Sequence, residues 1–206
     1  MRNCWLKCSE KIPTLNVLGY TQTGVEWFMR FVVGYDWEAY KGYYATLNEL
    51  HAYYRKLNLD AVSYEVGVVG DAETQIIKAD SSHLIVWLDG DEVVGHAVWH
   101  KTSTEEHHQG NPRDEDDRSN LRKLFDGKRE NLVELHEIWL RPEHRRKGFG
   151  KQFFTFFEKC IRERGFAGIV YYTENPAGIA ICRQRGYREA DLESKGWKIF
   201  TLALTR

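Results

Sequence analysis

The stretch from residue 132 to residue 164 constrains the fold of this chain most strongly. Leu132 to Leu140 is rich in apolar and aromatic residues, which predicts a strand. Lys151 to Arg164 has a helical pattern, with an apolar face that starts at Phe149 and recurs at i+4, i+7 and i+11. Arg141 to Gly150, which is basic and contains glycines, joins the two elements. A strand, a loop and a helix in this order predict an α/β fold.

The loop has the features of an anion-binding site. Gly148 and Gly150 lack a Cβ atom, so a phosphate can come close to the backbone N–H groups. The start of the following helix adds a partial positive charge. Phe153 stands where a dinucleotide fingerprint needs its third glycine, and no Walker A pattern is present. We therefore expect another class of phosphate- or pyrophosphate-binding loop. Its basic residues, which help to bind the anion, are Arg145, Arg146, Lys147 and Lys151.

The loop sequence Arg145-Arg-Lys-Gly148-Phe-Gly150 resembles the R/Q-x-x-G-x-G/A loop of the GNAT superfamily of acetyl-CoA-dependent N-acetyltransferases. The strand before it is similar to the central strand of that superfamily. Ile169 to Asn175 is similar to the next strand with its asparagine, and Ala180 to Tyr187 resembles the helix-to-strand signature that follows. The resemblance covers residues 83–190 well and the first 80 residues poorly.

The resemblance implies a mixed central sheet with helices on both faces, in a single domain over residues 1–206. We expect an acetyl-CoA-binding core at 83–190 and a divergent N-terminal part at 1–80. In that part, Thr14 to Tyr20 is the candidate first strand. Val25 to Leu57 has a helical pattern that breaks into two helices at 34–36, and residues 58–80 are interpreted as an insertion.

Local patterns predict the other elements. Leu84 to Leu88 and Glu92 to Trp99 flank a turn and indicate a β-hairpin. The charged stretch Glu105 to Asn131 is interpreted as a long surface loop with a short helix near Leu121 to Phe125. Trp197 to Leu204 is expected to form a last strand.

Composition narrows the range of partners. A formal net charge of −1 gives no overall attraction to nucleic acid or to a membrane surface. No apolar run is long enough for a membrane span, and the first residues lack the apolar core of a signal peptide. The cysteines are too scattered for a disulfide framework, which favours a cytoplasmic location. The sequence leaves a homodimer open.

We also expect no metal cofactor. Cys4 and Cys8 have no second ligand pair at zinc spacing. His96 and His100 share a face of the predicted strand, but four residues of extended chain place them ~13 Å apart. Neither pair makes a ligand set.

Acetyl transfer to an amine requires a base, because an ammonium group has no lone pair with which to attack. Glu137 is the first candidate, since it matches an acidic position in many members of the family that the chain resembles. Strand alternation also places Glu137 with Val133 and Leu135 on an apolar face. Apolar surroundings disfavour the charged form of a carboxyl group and so improve it as a proton acceptor.

Neighbouring residues offer alternatives to this assignment. Glu134 on the same strand is the reserve base. His136 is expected on the face opposite to Glu137, as a packing residue. In a structural role, Glu137 would instead form a salt bridge at the strand end with Arg141 or His144.

The chain departs from the family at the position of the general acid. The residue seven after Asn175 is a tyrosine in many members, and here it is Cys182. A thiol, with a reference pKa near 8.5, could return a proton to the CoA thiolate. Cys182 could instead be a buried packing residue, which we favour, or an acyl-carrying nucleophile. Tyr171, Tyr172 or water could also supply the proton.

The resemblance further implies the contacts of the pantetheine arm of CoA. The backbone of Ile138, Trp139 and Leu140 matches the segment that pairs with this arm like an additional strand. Asn175 matches a residue that contacts the same arm.

The sequence therefore favours an enzyme that transfers an acetyl group from acetyl-CoA to an amine by direct attack in a ternary complex. A small amine, a polyamine or a peptide would fit as acceptor. The alternative is a CoA-binding regulatory or interaction module that has lost catalysis.

Overall fold

The structure is a computed structural model that describes residues 15–19, 27–33, 83–90, 92–107, 110–192 and 197–204. Its strands are β1 (Leu15–Gly19), β2 (Trp27–Val33), β3 (Leu84–Asp89), β4 (Glu92–Thr102), β5 (Leu132–Leu140), β6 (Gly168–Thr173), β7 (Arg188–Leu192) and β8 (Trp197–Ala203). The α-helices are α1 (Glu115–Leu124), α2 (Phe149–Glu163) and α3 (Pro176–Gln184), and a short 3-10 helix spans Pro142–His144.

The strands form one mixed sheet in the order β1-β2-β3-β4-β5-β6-β8-β7. β5 and β6 pair in parallel, and the other neighbouring strands pair antiparallel. A parallel pair needs a long crossover, and α2 supplies it because it lies between β5 and β6 in the chain. The predicted fold class is confirmed.

An aromatic core fills the space between α2 and one face of the sheet. Phe153 of α2 stacks on Trp87 of β3, with 4.7 Å between the ring centroids. Phe31 of β2 contacts both rings edge-on, at 5.7 and 5.2 Å. Val133 and Leu135 of β5 belong to the same buried cluster. The α2 face of the sheet therefore fixes the first half of β5 in position.

Helix α1 covers the opposite face. Leu121 and Phe125 at its C-terminal end pack on Leu132 of β5 and on Val170 and Ile199 of the neighbouring strands. Leu132 and Val133 are adjacent in sequence and enter different clusters, as strand alternation requires.

Most predicted elements of the core are confirmed. β3 and β4 form the expected hairpin, β5 spans the predicted residues, and β8 forms the last strand. β1 lies within the predicted first strand, Thr14 to Tyr20.

The helical interpretation of Val25 to Leu57 is wrong over its first part, since Trp27–Val33 is β2. Buried and half-buried side chains alternate from Met29 to Val33, which is the period of a strand. This stretch pairs with β1 and β3 and so belongs to the sheet rather than to the aromatic helical repeat beyond it. Residues 34–57 and the expected insertion at 58–80 lie outside the described residues.

The interpretation of Glu105 to Asn131 as a surface loop also needs correction. Its helix begins at Glu115 rather than near Leu121. Asp114 caps it, because the side chain accepts a hydrogen bond of 2.9 Å from the backbone N–H of Asp117. Three acidic residues in the first turn add favourable charge at the positive end of the helix dipole. The apolar residues from Leu121 to Phe125, on which the helix was predicted, form only its C-terminal end.

Arg113, just before α1, is buried against the sheet. Its Nη2 donates to Glu134 of β5 at 2.8 Å and to Thr102 of β4 at 2.5 Å. Its Nη1 donates to Asp117 of α1 at 2.8 Å and to the hydroxyl of Tyr172 on β6 at 2.5 Å. The guanidinium group thus joins three strands to α1.

None of the described helices combines the length and the apolar character that a membrane span needs.

We expect Arg113→Met to lower the free energy of unfolding by about 3–5 kcal/mol, because it leaves two buried carboxylates without their cation. Arg118→Met is the matched control: Arg118 forms an exposed pair with Glu115 on α1, which is worth at most about 1 kcal/mol. Urea unfolding followed by fluorescence measures both. Equal losses in the two variants would contradict a central role for Arg113.

Candidate active site

A β-bulge in β5 shapes the site. Val98 of β4 pairs with Glu137, but the next residue, Trp99, pairs with Leu135, so His136 is an extra residue in β5. At such a bulge two successive side chains point to the same side of the sheet. The side chains of His136 and Glu137 therefore both project from the face of the sheet away from α2.

The bulge overturns two expectations about Glu137. This side chain does not share a face with Val133 and Leu135, which point to the α2 core. His136 does not lie opposite Glu137 either, because its ring is 5.2 Å from that of His100 on the same face. Simple alternation fails here because one inserted residue shifts the rest of the strand by one position.

Glu137 is buried and has a close partner on β4. A hydrogen bond of 2.6 Å joins its Oε1 to Nε2 of His96, and both side chains are almost fully enclosed. Arg141 and His144, the alternative partners in the sequence interpretation, instead pair with Glu92 at 2.7 Å and Asp89 at 3.3 Å. The carboxylate is therefore held by a histidine rather than by the loop.

The two central strands separate next to this pair. β5 and β6 pair from Leu132 and Gly168 as far as Leu135 and Tyr171, and no further. β5 continues to Leu140 while still paired with β4. Within the described part of the chain, residues 136–140 have no strand on their β6 side. This open edge is able to bind an extended ligand by backbone hydrogen bonds, and it includes the predicted Ile138, Trp139 and Leu140.

The loop after β5 ends in the predicted anion-binding turn. Gly148 is the N-cap of α2 and has φ of 86°, a conformation that favours glycine. No atom outside its chain neighbours lies within 4 Å of where its Cβ would be, so the space beside it is open. The exposed side chains of Arg146, Lys147 and Lys151 surround this helix start. Phe149 is buried in the aromatic core and anchors the turn.

Gly150 has a packing role, and its predicted part in anion binding stays a prediction. A Cβ at this position would lie 3.0 Å from Cδ1 of Ile181, so the missing side chain permits close packing of α2 on α3. A cavity of about 450 Å³ opens beside the two helices and is lined by Lys151, Gln184 and Arg185.

Arg145 joins the loop to the end of β5. Its Nε donates a hydrogen bond of 2.8 Å to the carbonyl oxygen of Leu140, and its guanidinium group lies 6.0 Å from the ring centroid of Trp139. This arginine therefore ties the turn to the end of the open edge.

A second polar cluster surrounds Glu134 on the face of the sheet away from α2. Oε1 of Glu134 is 3.5 Å from Nε2 of His100 and 3.7 Å from Nδ1 of His136. Burial on its own raises the pKa of Glu134, but hydrogen bonds from the surrounding histidines, His100 first, hold that pKa well below its usual value. Alternation on β5 puts Glu134 and His136 on one face, and the pairing of His100 with Glu134 adds the third residue.

The sequence profile of the acetyltransferase (GNAT) family matches residues 43–187. This match spans well over half of the chain and contains the bulge, the open edge and the glycine turn. The chain belongs to the acetyltransferase (GNAT) family. It is therefore an acyltransferase, as the sequence predicts.

Solved structures share the fold of this acetyltransferase at low sequence identity. A putative arylalkylamine N-acetyltransferase 7 from the mosquito Aedes aegypti has a TM-score of 0.63 at 11% identity, with 94% of each chain covered. A GNAT-family acetyltransferase from Listeria monocytogenes has a TM-score of 0.59 at 16% identity, with 92% of this chain and 100% of its own covered.

A third structure, a putative acetyltransferase from Salmonella typhimurium with its cofactor acetyl-CoA, has a TM-score of 0.53 at 17% identity, with 86% and 95% covered. No curated protein is similar enough in sequence to count as a match.

Asn175 is the N-cap of α3 in this acetyltransferase. Its Oδ1 accepts a hydrogen bond of 2.9 Å from the N–H of Ala177, and its own N–H donates to Thr173 at 3.0 Å. The predicted contact with the pantetheine arm stays a prediction, and the cap alone explains an asparagine here.

Cys182 lies inside the aromatic core and is fully buried. Burial, reinforced by the charge of Glu158, raises the pKa of Cys182 to about 12. Its thiol is therefore protonated at neutral pH and closed to solvent, which fits the packing role that we favour.

We expect iodoacetamide at pH 8 to leave Cys182 unmodified in the native protein and to label it in urea, because thiolate and access are both required. Cys160, which is only half-buried, is the internal comparison. Peptide mass spectrometry measures both sites over time. Native labelling of Cys182 as fast as in urea would contradict its burial.

Proposed function

We propose that this protein transfers the acetyl group of acetyl-CoA to an amine by direct attack in a ternary complex. The observation that carries the proposal is the end of β5–β6 pairing at Leu135, just before the glycine turn. An extended pantetheine arm would pair with residues 136–140, and its pyrophosphate would lie at the start of α2. Membership in the acetyltransferase family supports this use of the edge.

Glu137 acts as the base in this proposal. It lies at the edge where the thioester would be, and His96 fixes its carboxylate at 2.6 Å. The amine gives a proton to Glu137, directly or through one water, and its nitrogen attacks the thioester carbonyl carbon. The nitrogen then loses its second proton to solvent, the C–S bond breaks and the CoA thiolate leaves. Glu134 is less suited, because Arg113 holds one of its oxygens and the other faces two histidines.

The acceptor is proposed to be a small amine, a polyamine or a peptide amine. One structural neighbour is a putative arylalkylamine N-acetyltransferase by name, which supports an amine acceptor in general. Cys182 is proposed to pack α3 against the core, so the thiolate leaves without a dedicated acid from this position. Water or Tyr171, which reaches toward Gly178 at the start of α3, would supply the proton.

A second candidate is a CoA-binding module without catalysis, favoured by the cysteine at the position where relatives have a tyrosine. Turnover of acetyl-CoA with a panel of amines separates the two. CoA binding with no turnover of any amine would favour the module.

We predict that Gly148→Asp weakens CoA binding at least about tenfold, because it places a negative charge at the pyrophosphate position. Gly165→Asp is a close control. Both glycines have positive φ, 86° and 79°, and open space where a Cβ would be, but Gly165 follows the far end of α2. Calorimetry with CoA measures both variants. Equal affinities would remove the glycine turn from the binding site.

We predict that Glu137→Gln lowers kcat by ~10²-fold or more with unchanged CoA affinity, because Gln keeps the shape and loses the proton acceptor. Glu130→Gln, an exposed position just before β5, should keep the wild-type rate. Steady-state kinetics and calorimetry on the same preparations provide the test. A wild-type rate in Glu137→Gln would assign the base to Glu134 or to His136.

A further inference from the structure

Three potential ligands for a metal ion converge on the face of the sheet away from α2. His100 comes from β4 and its strand neighbour Glu134 from β5, while His136 is the inserted residue of the bulge. Their ligand atoms all lie within 4.8 Å of one another, and among the described residues they form such a group. We propose that His100, Glu134 and His136 bind a divalent transition-metal ion, with Zn²⁺ the best fit and water as the fourth ligand.

The spacing of the ligand atoms is compatible with a shared ion. Zinc bonds of about 2.0–2.2 Å to nitrogen and oxygen place tetrahedral ligand atoms about 3.3–3.5 Å apart. Oε1 of Glu134 lies 3.5 Å and 3.7 Å from the nearest nitrogens of His100 and His136. Both separations are longer than that of the His96–Glu137 pair on the same face, which is 2.6 Å. Small side-chain shifts would complete the coordination.

The surroundings orient the carboxylate for this role. Arg113 donates to Oε2 of Glu134 at 2.8 Å, which leaves Oε1 facing the two imidazoles. Hydrogen bonds of this kind to the non-ligating oxygen typically fix a metal-binding carboxylate. Arg113 also pairs with Asp117 at 2.8 Å. Arg113 is thus one cation shared by two buried carboxylates, so a net negative charge remains for a second cation.

The third histidine nearby fits the supporting network better than the ligand set. Nη1 of Arg113 lies 3.0 Å from Nδ1 of His107. Arginine can only donate, so Nδ1 of His107 accepts in this contact. Its occupied nitrogen cannot bind a metal ion at the same time.

Access is compatible with reversible binding. The side chains of His100 and Glu134 are 2% and 6% exposed, and that of His136 is 36% exposed. Two ligands are thus fixed by the fold, and the third faces solvent. Two imidazoles, one carboxylate and one open position are a ligand set that suits Zn²⁺ and Co²⁺.

The test measures Zn²⁺ binding by calorimetry on EDTA-treated full-length protein without acetyl-CoA or amine. All variants carry Cys4→Ser and Cys8→Ser, because those thiols could bind zinc on their own. We expect one ion per chain in this background and at least tenfold weaker binding after His136→Gln, which is at a half-exposed position and should fold. His83→Gln is the control, since His83 packs on Trp99 outside the cluster and should keep the affinity.

Co²⁺ absorption in the visible region gives a second readout, and His136→Gln should remove the spectrum. The proposal is overturned if no stoichiometric Zn²⁺ binding occurs, or if His136→Gln and His83→Gln bind equally well. Because neither substrate is present, the result is independent of the proposed acetyl transfer.

Discussion

The extra residue in β5 at His136 is the feature on which the rest of the site depends. It turns Glu137 away from the apolar α2 face and toward His96. It also comes directly after Leu135, the last residue of β5 that pairs with β6. The bulge therefore lies where an enclosed carboxylate and an open backbone edge meet.

The two faces of the sheet stabilise this opening in different ways. On the α2 side, aromatic packing around Phe153 and Trp87 fixes the strands by burial of apolar area. On the other side, Arg113 joins β4, β5 and β6 to α1 through buried hydrogen bonds. A buried ionic network costs desolvation and stabilises less than apolar packing would. The network here orients the carboxylate of Glu134, because it fixes one oxygen and leaves the other facing His100 and His136.

The sequence predicted those parts of the molecule that depend on local patterns. The strand β5, the glycine turn and the helix after it all follow from residue spacing between Leu132 and Arg164. The orientation of Glu137 does not, because a bulge leaves no mark in an apolar pattern and shifts every later side chain to the other face. The burial of Arg113 was also missed, since a charged residue in a polar stretch indicates surface until its buried partners are known. The residues of β2 were predicted to be helical because a helical pattern continues past Val33. Pairing with β1 and β3 outweighs that local pattern.

Amide hydrogen exchange of β5 tests the central claim most directly, because protection reports on backbone hydrogen bonds in place. If residues 136–140 form the edge that binds the pantetheine arm, adding CoA should slow exchange in this segment and at the start of α2. Exchange in β3, Leu84–Asp89, should stay unchanged. Saturating CoA that protects other segments and leaves 136–140 as in the free protein would contradict the account.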